Sequence, residues 1–98
     1  MPLEEAVVAR RLLAVTEASL QRRAQLEAAL ASRIVIEQAK GVLAERFGIG
    51  VDDAFQILRR SARAERMKIH ELAAEVVSSP HTPAGITRAL ARARERAV

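Results

Sequence analysis

The chain has 98 residues, enough for one small domain with a helical extension, and half of them are hydrophobic. Because 20 residues are alanine and only two are aromatic, a small helical core fits this composition better than a β-sandwich or barrel. Cysteine is absent, which excludes disulfides, thiolate metal sites and cysteine nucleophiles. The net charge is +4, and 14 of the 16 basic residues are arginine. This bias favours contact with phosphates or base edges, although a GC-rich genome would produce it too.

Motifs of enzymes, metal sites and membrane spans are missing from the sequence. No serine lies in a nucleophile-elbow pattern, and the GIG stretch at residues 48–50 lacks the third glycine of a dinucleotide loop. Two histidines without cysteine make a poor zinc site. No apolar run is long enough to cross a membrane, and the N-terminus does not resemble a signal peptide. We therefore expect a cytoplasmic protein with no catalytic residue, metal, cofactor, small-molecule substrate or membrane contact.

A long first helix is predicted from about Leu3 to Phe47, since neither proline nor glycine occurs between residues 3 and 40. An imperfect heptad stripe runs along it, formed by Leu13, Leu20, Leu30 and Ile34. A neighbouring stripe competes for the same role: Leu12, Val15, Leu26 and Ala29. After residue 32 the apolar arc changes to Val35, Ile36, Ala39, Val42, Leu43 and Phe47. The first part of the helix is thus expected to form a homodimer, with a helical hairpin inside one chain as the alternative.

Two shorter helices follow. Gly48 is expected to end the first helix in a left-handed conformation, and Gly50 to cap the second, with Asp53 as its capping-box partner. The second helix is predicted from about Val51 to Glu65, with an apolar face formed by Val51, Ala54, Phe55, Leu58 and Ala62. The third is predicted from about Ile69 to Val77, with an apolar face formed by Ile69, Leu72, Ala73 and Val76. Three such faces predict a compact bundle.

The C-terminal segment is basic and follows a loop that contains two prolines. Thr82 and Pro83 suit the cap and first residue of a tail helix, which either folds or stays disordered until it meets a partner. Positive charge is concentrated in two places: residues 59–68 hold five basic residues and one acid, and residues 84–98 hold four arginines and one glutamate. Backbone phosphates are the natural target of such patches, and a solvated helix face is the alternative.

Residues 32–77 resemble the ANTAR domain, a family of transcription antitermination regulators. The resemblance rests on Arg33 and four stretches of sequence: IEQAKG, LAERFGI, DAFQILRR and LAAEVV, at residues 36–41, 43–49, 53–60 and 72–77. It covers 46 residues without a gap, and the stretches are specific as a set at this spacing. The preceding LEAALAS stretch is similar to the helical linker that enters ANTAR domains and often forms their dimeric coiled coil.

The resemblance implies a three-helix bundle that binds RNA, commonly as a dimer. ANTAR targets are paired stem-loops in leader transcripts, and holding them prevents the overlapping terminator hairpin from forming. RNA loops expose base edges beside phosphates, which suits recognition by arginine and lysine. By position, the residues that would face RNA are Arg33, Gln38, Lys40, Arg59, Arg63 and Lys68.

Several positions depart from the family pattern. Gly50 stands where serine or threonine often caps the second helix, and Ser61 replaces a frequent aromatic residue, which removes a stacking contact. Met67 and His70 stand where basic residues are common. ANTAR domains usually follow a receiver or ligand-sensing domain, and none precedes this one in the sequence. The protein is therefore either a stand-alone antiterminator, regulated by its amount or by a sensor or receiver protein in trans, or a piece of a longer regulator.

The predicted architecture is all-α, with a long coiled-coil helix running into an ANTAR-like bundle and a basic tail helix. The expected divisions are a dimerisation helix over residues 1–32, an RNA-binding domain over 33–78, and a loop and basic tail over 79–98. The predicted function is transcription antitermination through tandem RNA stem-loops. Two alternatives remain open: a helical DNA-binding regulator, whose second or third helix enters a major groove, and a coiled-coil adaptor that binds only protein.

Overall fold

A computed structural model describes residues 2–97, and all its regular elements in that range are α-helices. They are α1 (Leu3–Phe47), α2 (Val51–Ala64), α3 (Ile69–Ser78) and α4 (Ala84–Ala97). The expected all-α fold with a long N-terminal helix is confirmed. The described chain divides into two compact units, of which the first ends at Ala31 and the second begins at Ser32. None of the helices in the described range is both long and apolar enough to cross a membrane.

The first unit is a single helical stretch with exposed apolar side chains. All its residues from Val7 to Ala31 are exposed. Leu13, Leu20 and Leu30 are each about 60% exposed, and the side chains of the competing stripe, such as Leu12, are exposed to a similar degree. Nothing among residues 2–31 covers either stripe, so the register of the predicted coiled coil stays open.

In the second unit, α2 packs against both α3 and α4. The last turns of α1 contribute Ala39 and Leu43 to the same core. The other helices contribute Ala54, Ile57, Leu58, Ala62, Leu72, Ala73, Val76, Ile86, Ala89 and Leu90. Burial of one leucine or isoleucine side chain stabilises the fold by about 1.5–3 kcal/mol, and the alanines let the helices approach closely.

The C-terminal tail is therefore part of this core: it forms α4 and buries Ile86, Ala89 and Leu90. Because α4 packs on α2, helix α2 buries a second side in addition to its predicted apolar face. Ile57 and Ser61 lie on this second side. Val51, which was expected in the core, is instead 53% exposed because it lies at the first turn of α2.

The two predicted capping glycines are confirmed, whereas the capping box of α2 and the start of α4 need correction. Gly48 has φ +63°, the left-handed conformation that ends α1, and Gly50 is the N-cap of α2. That cap has no side-chain hydrogen bond, so the predicted capping box with Asp53 is wrong. Helix α4 begins one residue later than expected, and the carbonyl of Pro83 accepts the amide of Ile86 at 3.0 Å. The Thr82 hydroxyl accepts a hydrogen bond from an arginine of α1 and does not cap α4.

The end of α2 carries a basic residue in an unfavourable backbone conformation. Arg66 has φ +55°, a value that usually requires glycine. Two hydrogen bonds fix the turn: Arg66 N to Arg63 O at 3.2 Å, and Met67 N to Ala62 O at 2.9 Å. These are the bonds of a Schellman motif, which satisfies carbonyls that the end of the helix leaves free.

Candidate nucleic-acid interface

Lys40, near the end of α1, is held against α2. Its Nζ lies 5.3 Å from the centre of the Phe55 ring and 3.1 Å from Oε1 of Glu37. The Lys40 side chain is only 16% exposed. A cation over an aromatic face is attracted by the ring quadrupole, and the neighbouring carboxylate adds a charge-assisted hydrogen bond. The ammonium group is therefore already engaged within the chain.

The two other candidates on α1 are exposed but lie on different sides of the helix. Arg33 precedes Lys40 by seven residues, about two helical turns, so both lie on one side. Gln38 precedes Lys40 by two residues, which turns it to the opposite side, where Ile34 lies. Only Arg33 thus shares the side of Lys40 that meets α2.

Arg59 and Arg63 extend the line that begins at Phe55 along α2. The three residues are spaced by four, so they lie on successive turns of one side of the helix. Both arginines are exposed, and neither forms an ion pair with any residue between 2 and 97. We call the surface formed by Arg33, Lys40, Phe55, Arg59 and Arg63 the α1–α2 face.

Lys68 lies beyond the α1–α2 face, at the start of the third helix. It is the N-cap of α3, where its carbonyl accepts the amides of Glu71 at 3.0 Å and Leu72 at 3.2 Å. Its side chain is exposed, as is that of Arg66 two residues earlier. The turn between α2 and α3 therefore presents two cations to solvent.

Four arginines form a second basic surface, which the resemblance did not indicate. They line a groove of about 330 Å³ between α2 and α4, called here the α2–α4 groove: Arg60, Arg88, Arg92 and Arg96. Arg88 Nη2 donates to Oε1 of Glu65 at 2.6 Å, which joins α4 to the end of α2. A signal for this surface existed in the sequence, because Arg88, Arg92 and Arg96 recur every four residues.

The helices that form this groove are closely packed at Ser61. The Ser61 side chain is buried between α2 and α4, at 1% exposure, and its hydroxyl has no hydrogen-bond partner in the described chain. A Cβ on Gly85 would come within 3.1 Å of that hydroxyl. Position 61 is therefore a packing position in this chain and is not available for base stacking.

Arg46 is a further basic residue that sequence reasoning missed, and it has a structural role. Its guanidinium donates to the Ser79 carbonyl at 3.0 Å and to the Thr82 hydroxyl at 3.2 Å. These bonds fasten the loop before α4 to the last turn of α1. No group of three or more acidic or histidine side chains in residues 2–97 is arranged to hold a metal ion.

The ANTAR domain family model matches residues 24–77, more than half of the chain. The chain belongs to the ANTAR domain family. ANTAR domains are RNA-binding regulators of transcription antitermination and are not an enzyme family. The matched segment includes the whole α1–α2 face and ends before α4. No curated protein and no solved structure matches the chain significantly.

Proposed function

We propose that this ANTAR protein is a dimeric antiterminator that binds paired stem-loops in leader transcripts and so prevents formation of the terminator hairpin. The observation that carries this proposal is the row of exposed arginines on α2, Arg59 and Arg63, within the segment that the family model matches. Neither arginine is paired with an acid among the described residues, so both can bind phosphates or base edges.

The mechanism needs no catalysis. A leader transcript exchanges between a fold with two stem-loops and a fold with the terminator, and a protein shifts that equilibrium only by binding one fold more tightly. A change from 1% to 99% of the stem-loop fold requires a preference of about 10⁴-fold. Polymerase then reads through because the terminator hairpin is absent.

The six candidate residues divide into groups according to their surroundings. Arg33, Arg59 and Arg63 are proposed to contact RNA directly from the α1–α2 face, and Lys68 from the edge of α3. Lys40 contributes positive potential and holds Phe55 in place, because its ammonium is already bound within the chain. Gln38 lies on the other side of α1 and contacts only RNA that reaches round the helix.

A homodimer would carry two α1–α2 faces, one from each copy of the chain. The exposed leucines at positions 13, 20 and 30, with Ile34, are the proposed contacts between two copies of α1. Two linked faces bind two stem-loops of one transcript with a higher effective affinity than either face alone. A sensor or receiver protein acting in trans is a further proposed partner, which would control how much dimer is available.

Crosslinking in cells, followed by sequencing of the bound RNA, is the experiment that tests the function. We expect leader transcripts with tandem hairpins upstream of a terminator to be enriched. A recovered leader then serves as template for transcription in vitro, where added protein should increase readthrough. Recovery of unrelated RNA, or tighter sequence-specific binding to duplex DNA than to stem-loop RNA, would overturn the proposal. A stable dimer that binds no RNA at low salt would favour the adaptor alternative.

A further inference from the structure

The α2–α4 groove has the chemistry of a site for a polyanion. Its basic residues number four, against the single carboxylate of Glu65, which is paired with Arg88. Arg92 and Arg96 are exposed and form no ion pair with any residue the structure describes. Each guanidinium offers a planar fork of donors that matches two oxygens of a phosphate.

The spacing of these arginines favours a chain of phosphates over a single anion. Arg88, Arg92 and Arg96 follow one another at intervals of four residues, about 6 Å along the axis of α4. Arg60 faces them from α2 across the groove. A row of cations of this length can follow several consecutive phosphates of a nucleic-acid backbone, whereas a small anion would use only one or two of them.

The groove is built on packed helices, so the backbone that carries its arginines is held in position. Ile86, Ala89 and Leu90 anchor α4 in the core, and the absence of a side chain at Gly85 lets α4 approach Ser61. The ion pair between Arg88 and Glu65 adds a contact between α4 and the end of α2. When a ligand binds, the arginine side chains lose conformational entropy, but the helices that carry them are already ordered.

We infer that the α2–α4 groove is a second RNA-binding surface, at which Arg92 and Arg96, aided by Arg60, hold the phosphate backbone of the transcript. This inference rests on the proposed function, because the RNA held in the groove is the same leader transcript whose loops the α1–α2 face binds. Helix α4 lies outside residues 24–77, so the family match does not assign this surface. Contacts to phosphates position the RNA and do not depend on its sequence, so the groove contributes affinity and not loop preference.

The test compares Arg92→Gln and Arg96→Gln with Arg94→Gln. Arg94 is two residues from each, so it lies on the other side of α4, where it lines a neighbouring cavity whose lining shares Arg60 with the groove. Its substitution removes the same charge from the same helix but leaves the row of Arg88, Arg92 and Arg96 intact. The probes are two labelled RNAs that carry tandem stem-loops and differ only in loop sequence. Affinity is measured from 50 to 200 mM salt, because affinity that comes from phosphate contacts falls steeply with salt concentration over this range. Circular dichroism checks that each variant keeps its helix content.

We expect each groove variant to weaken binding by about threefold at low salt and to lower the slope of log affinity against log salt by about 0.7–0.9. The loss should be equal for the two RNAs, and Arg94→Gln should change affinity and slope much less. If a glutamine variant loses helix content, Arg92→Lys and Arg96→Lys replace it; they are expected to retain the slope and to bind less tightly, because lysine lacks the bidentate fork.

The possible results separate the two proposals. Unchanged binding by the groove variants, together with weaker binding by Arg59→Gln, would overturn the groove and leave the antiterminator proposal intact. An equal loss of RNA affinity in Arg94→Gln and Arg92→Gln would also overturn the proposal for the groove, because the change in net charge alone would explain the loss. Failure of the unchanged protein to bind either RNA while it binds duplex DNA would overturn both proposals.

Discussion

Gly85 of α4 faces Ser61 of α2 so closely that a Cβ on the glycine would come within 3.1 Å of the serine hydroxyl and 2.9 Å of Glu65 Oε1. This contact brings α4 onto α2 and places the Arg88 guanidinium against Glu65. The basic tail is joined to the ANTAR core at this point. The lack of a side chain at position 85 therefore matters for packing, even though the backbone there is helical.

Gly85→Ala is expected to lower the free energy of unfolding by about 1 kcal/mol. The added methyl group must shift the Glu65 carboxylate and crowd Ser61, which costs roughly 1–3 kcal/mol. The better helix propensity of alanine offsets up to about 1 kcal/mol of that cost, because position 85 is in the first turn of α4. Chemical denaturation followed by circular dichroism measures the change.

Gly41→Ala is the matched control for Gly85→Ala. Gly41 also lies within a helix, but in the described chain nothing apart from its chain neighbours and the backbone of its own helix lies within 4 Å of where its Cβ would be. Alanine should therefore stabilise the protein by about 0.5–1 kcal/mol through helix propensity alone. If alanine raises the free energy of unfolding at both glycines, the contact between Gly85 and Ser61 is not a tight one.

Ser61→Ala is expected to stabilise the protein by about 1 kcal/mol. The serine hydroxyl is buried without a hydrogen-bond partner in the described residues, so its removal eliminates a desolvation cost and leaves the packing of the β-carbon unchanged. Ser61→Phe, which restores the aromatic residue frequent in the family, should do the reverse and displace α4 by overpacking. Thermal unfolding of the two variants should give shifts of opposite direction, and a lower melting temperature for Ser61→Ala would contradict this account.

Helical periodicity was sufficient to predict the long first helix and most of the bundle core. It failed at Ile57 and Ser61, because one apolar face was predicted for α2 and the packing of α4 buries a second side of that helix. The sequence of the tail allowed both a folded and an unfolded state, and no local pattern decides between them. The burial of Ile86 and Leu90 against α2, which is a tertiary effect, is what stabilises the helix.

The basic surfaces were predictable to different degrees. Arg59 and Arg63, which the resemblance implies as RNA-facing residues, are both exposed on one side of α2, and their contact with RNA stays a prediction. The resemblance did not indicate that Lys40 lies over the Phe55 ring, because a contact between two helices depends on how they pack and not on spacing along one of them. The pair of Lys40 with Glu37 is different, since the two residues are three apart on α1 and their spacing alone brings them together. The concentration of arginine in residues 84–98 was visible in the sequence, but the position of Arg60 across the α2–α4 groove depends on packing and was missed.

Lys40→Gln is expected to weaken RNA binding less than Arg59→Gln, although both changes remove one charge. The ammonium of Lys40 is largely covered and already bound, whereas Arg59 is exposed and free of ion pairs among residues 2–97. Lys40→Gln should instead reduce stability, since it removes an interaction with Phe55 of about 0.5–1 kcal/mol. RNA titration and denaturation of both variants give the comparison.

A double-mutant cycle with Phe55→Leu separates this interaction from general effects of charge. Leucine keeps an apolar side chain at position 55 but has no aromatic ring. The two substitutions should therefore be non-additive, with a coupling energy of about 0.5–1 kcal/mol in the free energy of unfolding. Additive effects would mean that the ring and the ammonium do not interact in solution.

Substitutions in the heptad stripe of α1 are expected to change the oligomeric state. Leu13 and Leu20 are exposed in a single chain, and if they pair with a second copy, replacing both with glutamate should convert the dimer to a monomer. Buried carboxylates without partners are costly, so the effect should be large. Sedimentation velocity measures it, and Leu12 with Leu26, from the competing stripe, provide the matched double substitution. If the Leu12 and Leu26 variant is the one that dissociates, the register belongs to that stripe. If both double variants stay dimeric, α1 is not the dimer contact.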